Sequence, residues 1–136
     1  MGVPSVVVDA SFLIALWCRR DQNHAWAMDL ARNHPPVWQC CEAAFSEADH
    51  LLRPEGCAGL RVACRRGAIR LYSLGDDDFL PVLDLMDKYA DIPMSVAGAC
   101  LVRLTEILPE PLLLTTDSDF TVYRRFGRRR IPVRMP

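Results

Sequence analysis

At 136 residues, 51% of them hydrophobic and 24% charged, the chain is sized for one folded domain with a single core and is too short for two ordinary ones. That balance excludes a disordered tail, and a formal net charge of −1 excludes a globally basic nucleic-acid binder. Apolar runs such as Val6-Val7-Val8 and Leu112-Leu113-Leu114 fall far below the roughly 18 residues of a membrane span, and no charged-then-apolar leader opens the sequence, so a cytoplasmic protein without a membrane partner is expected.

Val3 to Val8 is a β-branched run, apolar on both faces, which suits a central parallel strand; it ends at Asp9. Ala10 to Arg19 follows as a helix, with Ser11 near its start and Phe12, Leu13, Leu16 and Trp17 at helical spacing. His24 to His34 reads as a second helix, stopped by Pro35-Pro36. Val37 to Cys40 predicts a second strand and Glu42 to Leu52 a third helix, broken by Pro54-Glu55-Gly56. Cys57 to Arg66 is a further short helix, and the alternating apolar positions of Ile69 to Leu74 predict a third strand. Phe79, Val82, Leu83 and Met86 then set a helix over Asp76 to Tyr89. Asp91-Ile92-Pro93 is a helix-start signal that puts Pro93 in the first turn of a helix running to about Ile107. Leu112 to Asp117 predicts a fourth strand ending in an acid, Phe120 to Arg125 a short helical turn, and Ile131 to Val133 an edge strand, where proline is tolerated.

Strands alternating with helices predict an α/β fold: one domain over residues 1–136, with a central parallel sheet flanked by helices on both faces. Such sheets bind ligands at the carboxyl ends of their strands, beside a topological switch point. Asp9 and Asp117 both sit at strand ends, where a lone Asp commonly just caps the next helix. Two at one sheet edge, joined by Asp119 and by Glu47 from an apolar helix, favour a metal site. Glu42 and Asp49 flank Glu47 with similar charge, so Glu47 has only a modest lead over them, and a solvated helix face accounts for all three as readily as a ligand role does. Hard oxygen ligands suit Mg²⁺ or Mn²⁺ rather than zinc, and such an ion promotes attack of water on a phosphodiester.

Other constellations are weak. The sequence has no phosphate-binding glycine loop, no nucleophile elbow and no H-E-x-x-H. Its six cysteines form no C-x-x-C pair and sit in apolar or helical settings, as reduced core residues do. Trp17, Trp26 and Trp38 suit core or interface packing, and the helices bearing Trp17 and Trp26 suit a dimer or peptide groove. Arg124, Arg125 and Arg128 belong to a basic C-terminal cluster that could track a phosphate backbone or simply form a solvated face.

The stretches Val6 to Leu16, Cys41 to Ala48, Tyr89 to Met94 and Leu114 to Phe120, taken in order, resemble PIN domains, specifically the VapC-like toxins. The resemblance implies a metal-dependent endoribonuclease using Mg²⁺ or Mn²⁺, a homodimer, and a cognate antitoxin that blocks the site with a peptide. It assigns catalysis and metal binding to Asp9, Glu47 and Asp117, adds Asp119 as a supporting metal carboxylate, and gives Thr115 and Thr116 the task of orienting the turn after the fourth strand. One part of the family pattern fails. Where the family reads D-x-P-M-D-x-A-D-A, this chain reads Asp91-Ile92-Pro93-Met94-Ser95-Val96-Ala97-Gly98-Ala99, so Ser95 and Gly98 hold acid positions. Glycine inside a helix is disfavoured by about 1 kcal/mol relative to alanine, an odd choice for packing.

Two readings follow: a ribonuclease weakened or silenced at Gly98, and a degenerate PIN domain that binds RNA or an antitoxin without cutting. A flavodoxin-like signalling domain is a third. That one wants a lysine after a late strand, and the only lysine is Lys88, in a predicted helix.

Overall fold

The computed structural model describes residues 3–136; Met1 and Gly2, the start of the expected domain, lie outside the described residues. Strands β1 (Ser5–Val8), β2 (Trp38–Cys41), β3 (Ile69–Tyr72) and β4 (Pro111–Leu114) alternate with helices α1 (Ala10–Trp17), α2 (His24–Asn33), α3 (Glu42–Leu51), α4 (Cys57–Arg65), α5 (Asp76–Lys88) and α6 (Val96–Ile107). A 3-10 turn (Ser118–Thr121) follows, then β5 (Arg124–Arg125), β6 (Arg129–Arg130) and β7 (Val133–Arg134). The sheet runs β3-β2-β1-β4-β7 with every pairing parallel, while β5 and β6 make a separate antiparallel ribbon. This is the expected α/β class with its central parallel sheet.

Successive strand residues point to opposite faces, so a strand covered on one side alone shows alternating burial. Val7 and Val8 are both fully buried, and so are Leu113 and Leu114. The two central strands are therefore covered on both faces, as their unbroken apolar runs require. Phe12 anchors one side, meeting Trp26 and Trp38 edge to face at 6.0 and 5.4 Å, and Trp17 meets Trp38 at 6.5 Å. Trp17 and Trp26 are thus half-buried against the core, in keeping with the packing role expected of them.

Three boundaries differ from the sequence expectation. The last long helix begins at Val96, not at Pro93, because Ser95 adopts extended backbone and its hydroxyl accepts the Gly98 N–H, a better cap than Asp91 supplies. β4 stops at Leu114, so Asp117 lies three residues past the strand and caps the 3-10 turn instead. Phe120 to Arg125 is not one helical turn: after Thr121 the chain enters the β5–β6 hairpin, whose bend is set by left-handed backbone at Phe126 and Gly127. The edge strand arrives at Val133–Arg134, beyond Pro132, paired with Leu113 and Leu114.

Candidate functional site

β1 lies between β2 and β4, and the chain leaves it toward β2 on one side and returns as β4 on the other. That reversal is the switch point at which open parallel sheets leave a crevice beyond their carboxyl ends. Val8 pairs with Leu114, and the Asp9 N–H reaches the Leu114 carbonyl at 3.3 Å, so the residues following both strands emerge side by side. Asp9 follows β1 directly and caps α1, its carboxylate accepting the Ser11 N–H.

Thr115 ties the two acidic corners together. Its hydroxyl donates to Asp9 Oδ2 and accepts the Asp117 N–H at 2.9 Å. Ser11 Oγ completes the lattice by accepting the Thr116 N–H at 2.9 Å, while Asp117 accepts the Asp119 N–H at 2.9 Å. The threonines thus hold the turn, as the family resemblance implies, through Thr115's side chain and Thr116's main chain.

A small cavity of about 60 Å³ opens here, lined by Asp9, Glu47 and Asp117 together with Ser95, Gly98 and Phe120. Residues from four segments of the chain meet in it. Asp9 is only 7% exposed, whereas Glu47 and Asp117 reach the mouth. Burial pushes the Asp9 carboxyl above its usual range, Thr115 and Ser11 pull it back down, and the Asp117 charge pushes in the same direction as burial. Among the described residues no ion pair involves Asp9, Glu47 or Asp117, so their negative charge stands uncompensated by the protein.

The competing acids on α3 are otherwise engaged. Asp49 is held by the Arg61 guanidinium through two 2.7 Å hydrogen bonds, which keeps its carboxyl below the usual range, and Glu42 accepts from the Ser73 hydroxyl at 2.8 Å. Glu47 is the α3 acid left facing the cavity. Asp119 does not line it; its half-buried side chain lies near Tyr123, whose hydroxyl pKa it helps to raise after burial.

Ser95 and Gly98 do occupy the remaining wall of the cavity, so the acid positions of the pattern fall where an acid would join the others. Three carboxylates around one crevice fit a hard divalent cation in donor chemistry, but the set is one short. Among the described residues no three His, Cys, Asp or Glu side chains lie close enough together to grip one ion. Asp9, Glu47 and Asp117 thus share a crevice without converging on one point in it.

Two arginines expected at RNA have other work. Arg124 donates to the carbonyls of Thr121, Val122 and Tyr123, and Arg125 donates twice to the Thr105 carbonyl, at 3.0 and 2.6 Å. Arg128 is exposed, as are Arg129 and Arg130. Phe120, a wall of the cavity, was legible in the sequence only as an apolar residue after the acids.

The strand order and the flanking helices define the class by fold: the chain is an α/β protein with the fold of a VapC toxin of known structure. Its structure is similar to that of VapC20 of Mycobacterium tuberculosis, described as a sarcin-ricin loop cleaving toxin, with a TM-score of 0.76 over 87% of this chain and 94% of that one. Sequence identity between the two is 23%, so the likeness is one of fold. No protein-family model matches the chain, and no curated protein matches it.

Proposed function

We infer that the chain is a VapC-like ribonuclease domain whose site is attenuated at Gly98. The observation that carries this reading is the uncompensated carboxylate crevice: Asp9 is buried, charged neighbours face it, and no basic group of the protein answers them. A buried carboxylate without a countercharge is costly even when hydrogen-bonded, and a divalent cation is the ligand that such a set of oxygens favours. Asp9, Glu47 and Asp117 would hold Mg²⁺ or Mn²⁺, with Asp119 supporting the turn that carries Asp117. When bound, such a cation neutralises charge growing on a phosphoryl group and makes water a better nucleophile.

The protein's own part is positional. Thr115 fixes the Asp9 and Asp117 corners relative to each other, α3 brings Glu47 to the mouth, and Ser95 caps α6 so that Gly98 faces the crevice. RNA is the substrate class that the VapC20 likeness supports, and a cognate antitoxin and a homodimer belong to the same proposal. A groove of about 730 Å³ at the C-terminal ends of α1 and α3, floored by Ile14, Trp17 and Leu52 and edged by Arg19 and Arg53, offers room for a partner peptide. No described helix is long and apolar enough to cross a membrane.

Gly98 and Ser95 favour a second reading, a PIN domain that binds RNA or its antitoxin without cutting. Cleavage of a labelled structured RNA by the parent chain, by Gly98→Asp, and by Gly98→Asp combined with Asp9→Ala separates the two. Slow Mg²⁺-dependent cutting by the parent, raised by Gly98→Asp and lost with Asp9→Ala, supports the nuclease. RNA binding with no cutting by any of the three supports the second reading.

A further inference from the structure

The β5–β6 hairpin carries a concentration of positive charge, only part of which the fold uses. Cross-strand partners lie on one face of a ribbon, and here both pairs are arginine against arginine: Arg124 opposite Arg130, and Arg125 opposite Arg129. Like charges directly opposite destabilise a hairpin, and a two-stranded ribbon has little stability to lose. Among the described residues none of these four, nor Arg128, enters an ion pair. Main-chain carbonyls answer Arg124 and Arg125, which leaves Arg128, Arg129 and Arg130 exposed, without an ion pair and open to an anion from outside.

The hairpin is nonetheless rigidly mounted. Phe126 N–H donates to Glu106 Oε2, Lys88 Nζ donates to the Gly127 carbonyl at 3.2 Å, and Tyr89 Oη accepts the Arg124 N–H at 3.0 Å. At its tip the Phe126 ring is 52% exposed, and the Arg125 guanidinium, pinned to Thr105, lies 5.0 Å from its centroid. A cation over one part of an aromatic ring holds it in place and leaves the rest open. The mount is also near the crevice: Thr105 is seven residues along α6 from Gly98, about 10 Å at 1.5 Å per residue.

We propose that this hairpin is an RNA-recognition element, in which Phe126 stacks an unpaired base while Arg128, Arg129 and Arg130 hold the flanking phosphates. The proposal rests on the reading of the crevice as an RNA site and names the part of the surface that engages the substrate. An acidic protein face would answer the arginines but gives no reason for an ordered, exposed aromatic ring among them. Stacking on such rings is how proteins take up single-stranded RNA, with phosphate contacts supplying the bulk of affinity.

The test uses the full chain in EDTA, so that binding is read without cleavage, and compares a labelled RNA stem-loop with a perfect duplex of equal length by fluorescence anisotropy over a salt series. Changing Arg128, Arg129 and Arg130 to Gln together is expected to weaken both RNAs and flatten the slope of log affinity against log salt by about two units. Phe126→Leu keeps a side chain that is not β-branched at the left-handed position and is expected to weaken the stem-loop about tenfold while sparing the duplex. On the parent chain, RNA should slow amide exchange across residues 124–130, a readout that needs no variant. The proposal is overturned by exchange unchanged there, by an unaltered salt slope in the triple variant, or by equal losses on both RNAs in Phe126→Leu. Loss of self-association in the triple variant with RNA binding intact would instead make the hairpin an interface between copies, which also overturns it. Hairpin-dependent binding without cutting by any variant leaves this inference standing while the nuclease reading fails.

Discussion

Gly98→Asp tests the carboxylate crevice through metal binding rather than turnover. Counted from the Ser95 cap, Gly98 is the third residue of α6. A Cβ built there would lie 3.5 Å from Ser95 Oγ, 3.9 Å from Met94 Cγ and 4.0 Å from Phe120 Cζ, all ordinary contacts, so the first side-chain atom of an aspartate enters without displacing its neighbours. Helix propensity gains about 0.3 kcal/mol from the exchange, and a negative charge in the first turn adds about 0.3–1 kcal/mol. Against this, one pair of like charges roughly 6 Å apart costs between about 0.7 and 3 kcal/mol, depending on whether water or the protein rim sets the dielectric response. Asp9, Glu47 and Asp117 all line the same cavity, so repulsion wins, and the variant should melt below the parent in EDTA. Mg²⁺ should narrow that gap. At 10 mM ion and a dissociation constant near 1 mM, binding adds about 1.4 kcal/mol, or roughly 5 °C for a domain of this size. The parent should gain about 1 °C or less. Differential scanning calorimetry with and without Mg²⁺ decides it, and the reasoning fails if folded Gly98→Asp responds to Mg²⁺ as the parent does, or if its response survives Asp9→Asn.

Thr115→Val keeps the shape but strips Asp9 Oδ2 of a donor and the Asp117 N–H of an acceptor, so chemical denaturation should show a loss of about 1–3 kcal/mol, with Thr115→Ser close to the parent. Asp9→Asn removes a charge that burial opposes. Because the folded carboxyl titrates above its unfolded value, the penalty is absent below about pH 4 and grows as pH rises through the folded pKa. Asn should therefore stabilise the metal-free chain at pH 7, and that gain should vanish as pH falls toward 4 in a melting series. Ser95→Ala should lower stability by about 1 kcal/mol through the lost cap, while Ser95→Asp should keep the cap and raise the Mg²⁺ response less than Gly98→Asp.

The parallel sheet was legible because Val6 to Val8 and Leu112 to Leu114 are apolar at consecutive positions, a pattern that only a strand covered on both faces tolerates. Helix boundaries were less so. Pro93 and Ser95 both announce a helix, and only the tertiary fold, which buries Met94, chose the later start. The arginine hairpin was hidden altogether: Phe120 to Arg125 has helical spacing, and nothing local says that the chain will fold back at Phe126-Gly127 or that Arg124 and Arg125 will be consumed by carbonyls.

The site shows the same division between what local pattern carries and what packing decides. Asp9 and Asp117 admit either a capping or a ligand role from sequence, and the structure gives each a cap and places both at one cavity. The two roles reinforce each other. A carboxylate that spends one oxygen on a backbone N–H is fixed in direction, so its other oxygen is aimed before any ligand arrives. For Asp9 that second oxygen meets the Thr115 hydroxyl, which in turn receives the Asp117 N–H, so the two corners are set by one side chain rather than by the sheet alone. Glu47 has no such constraint and reaches the crevice from an exposed helix face, so the residues alone give it only a modest lead over Glu42 and Asp49, which widens once their partners Ser73 and Arg61 are in view. On the proposed reading the site keeps this scaffold while lacking acids at Ser95 and Gly98, and because a Cβ at Gly98 would meet only ordinary contacts, that is the position at which to return a charge first.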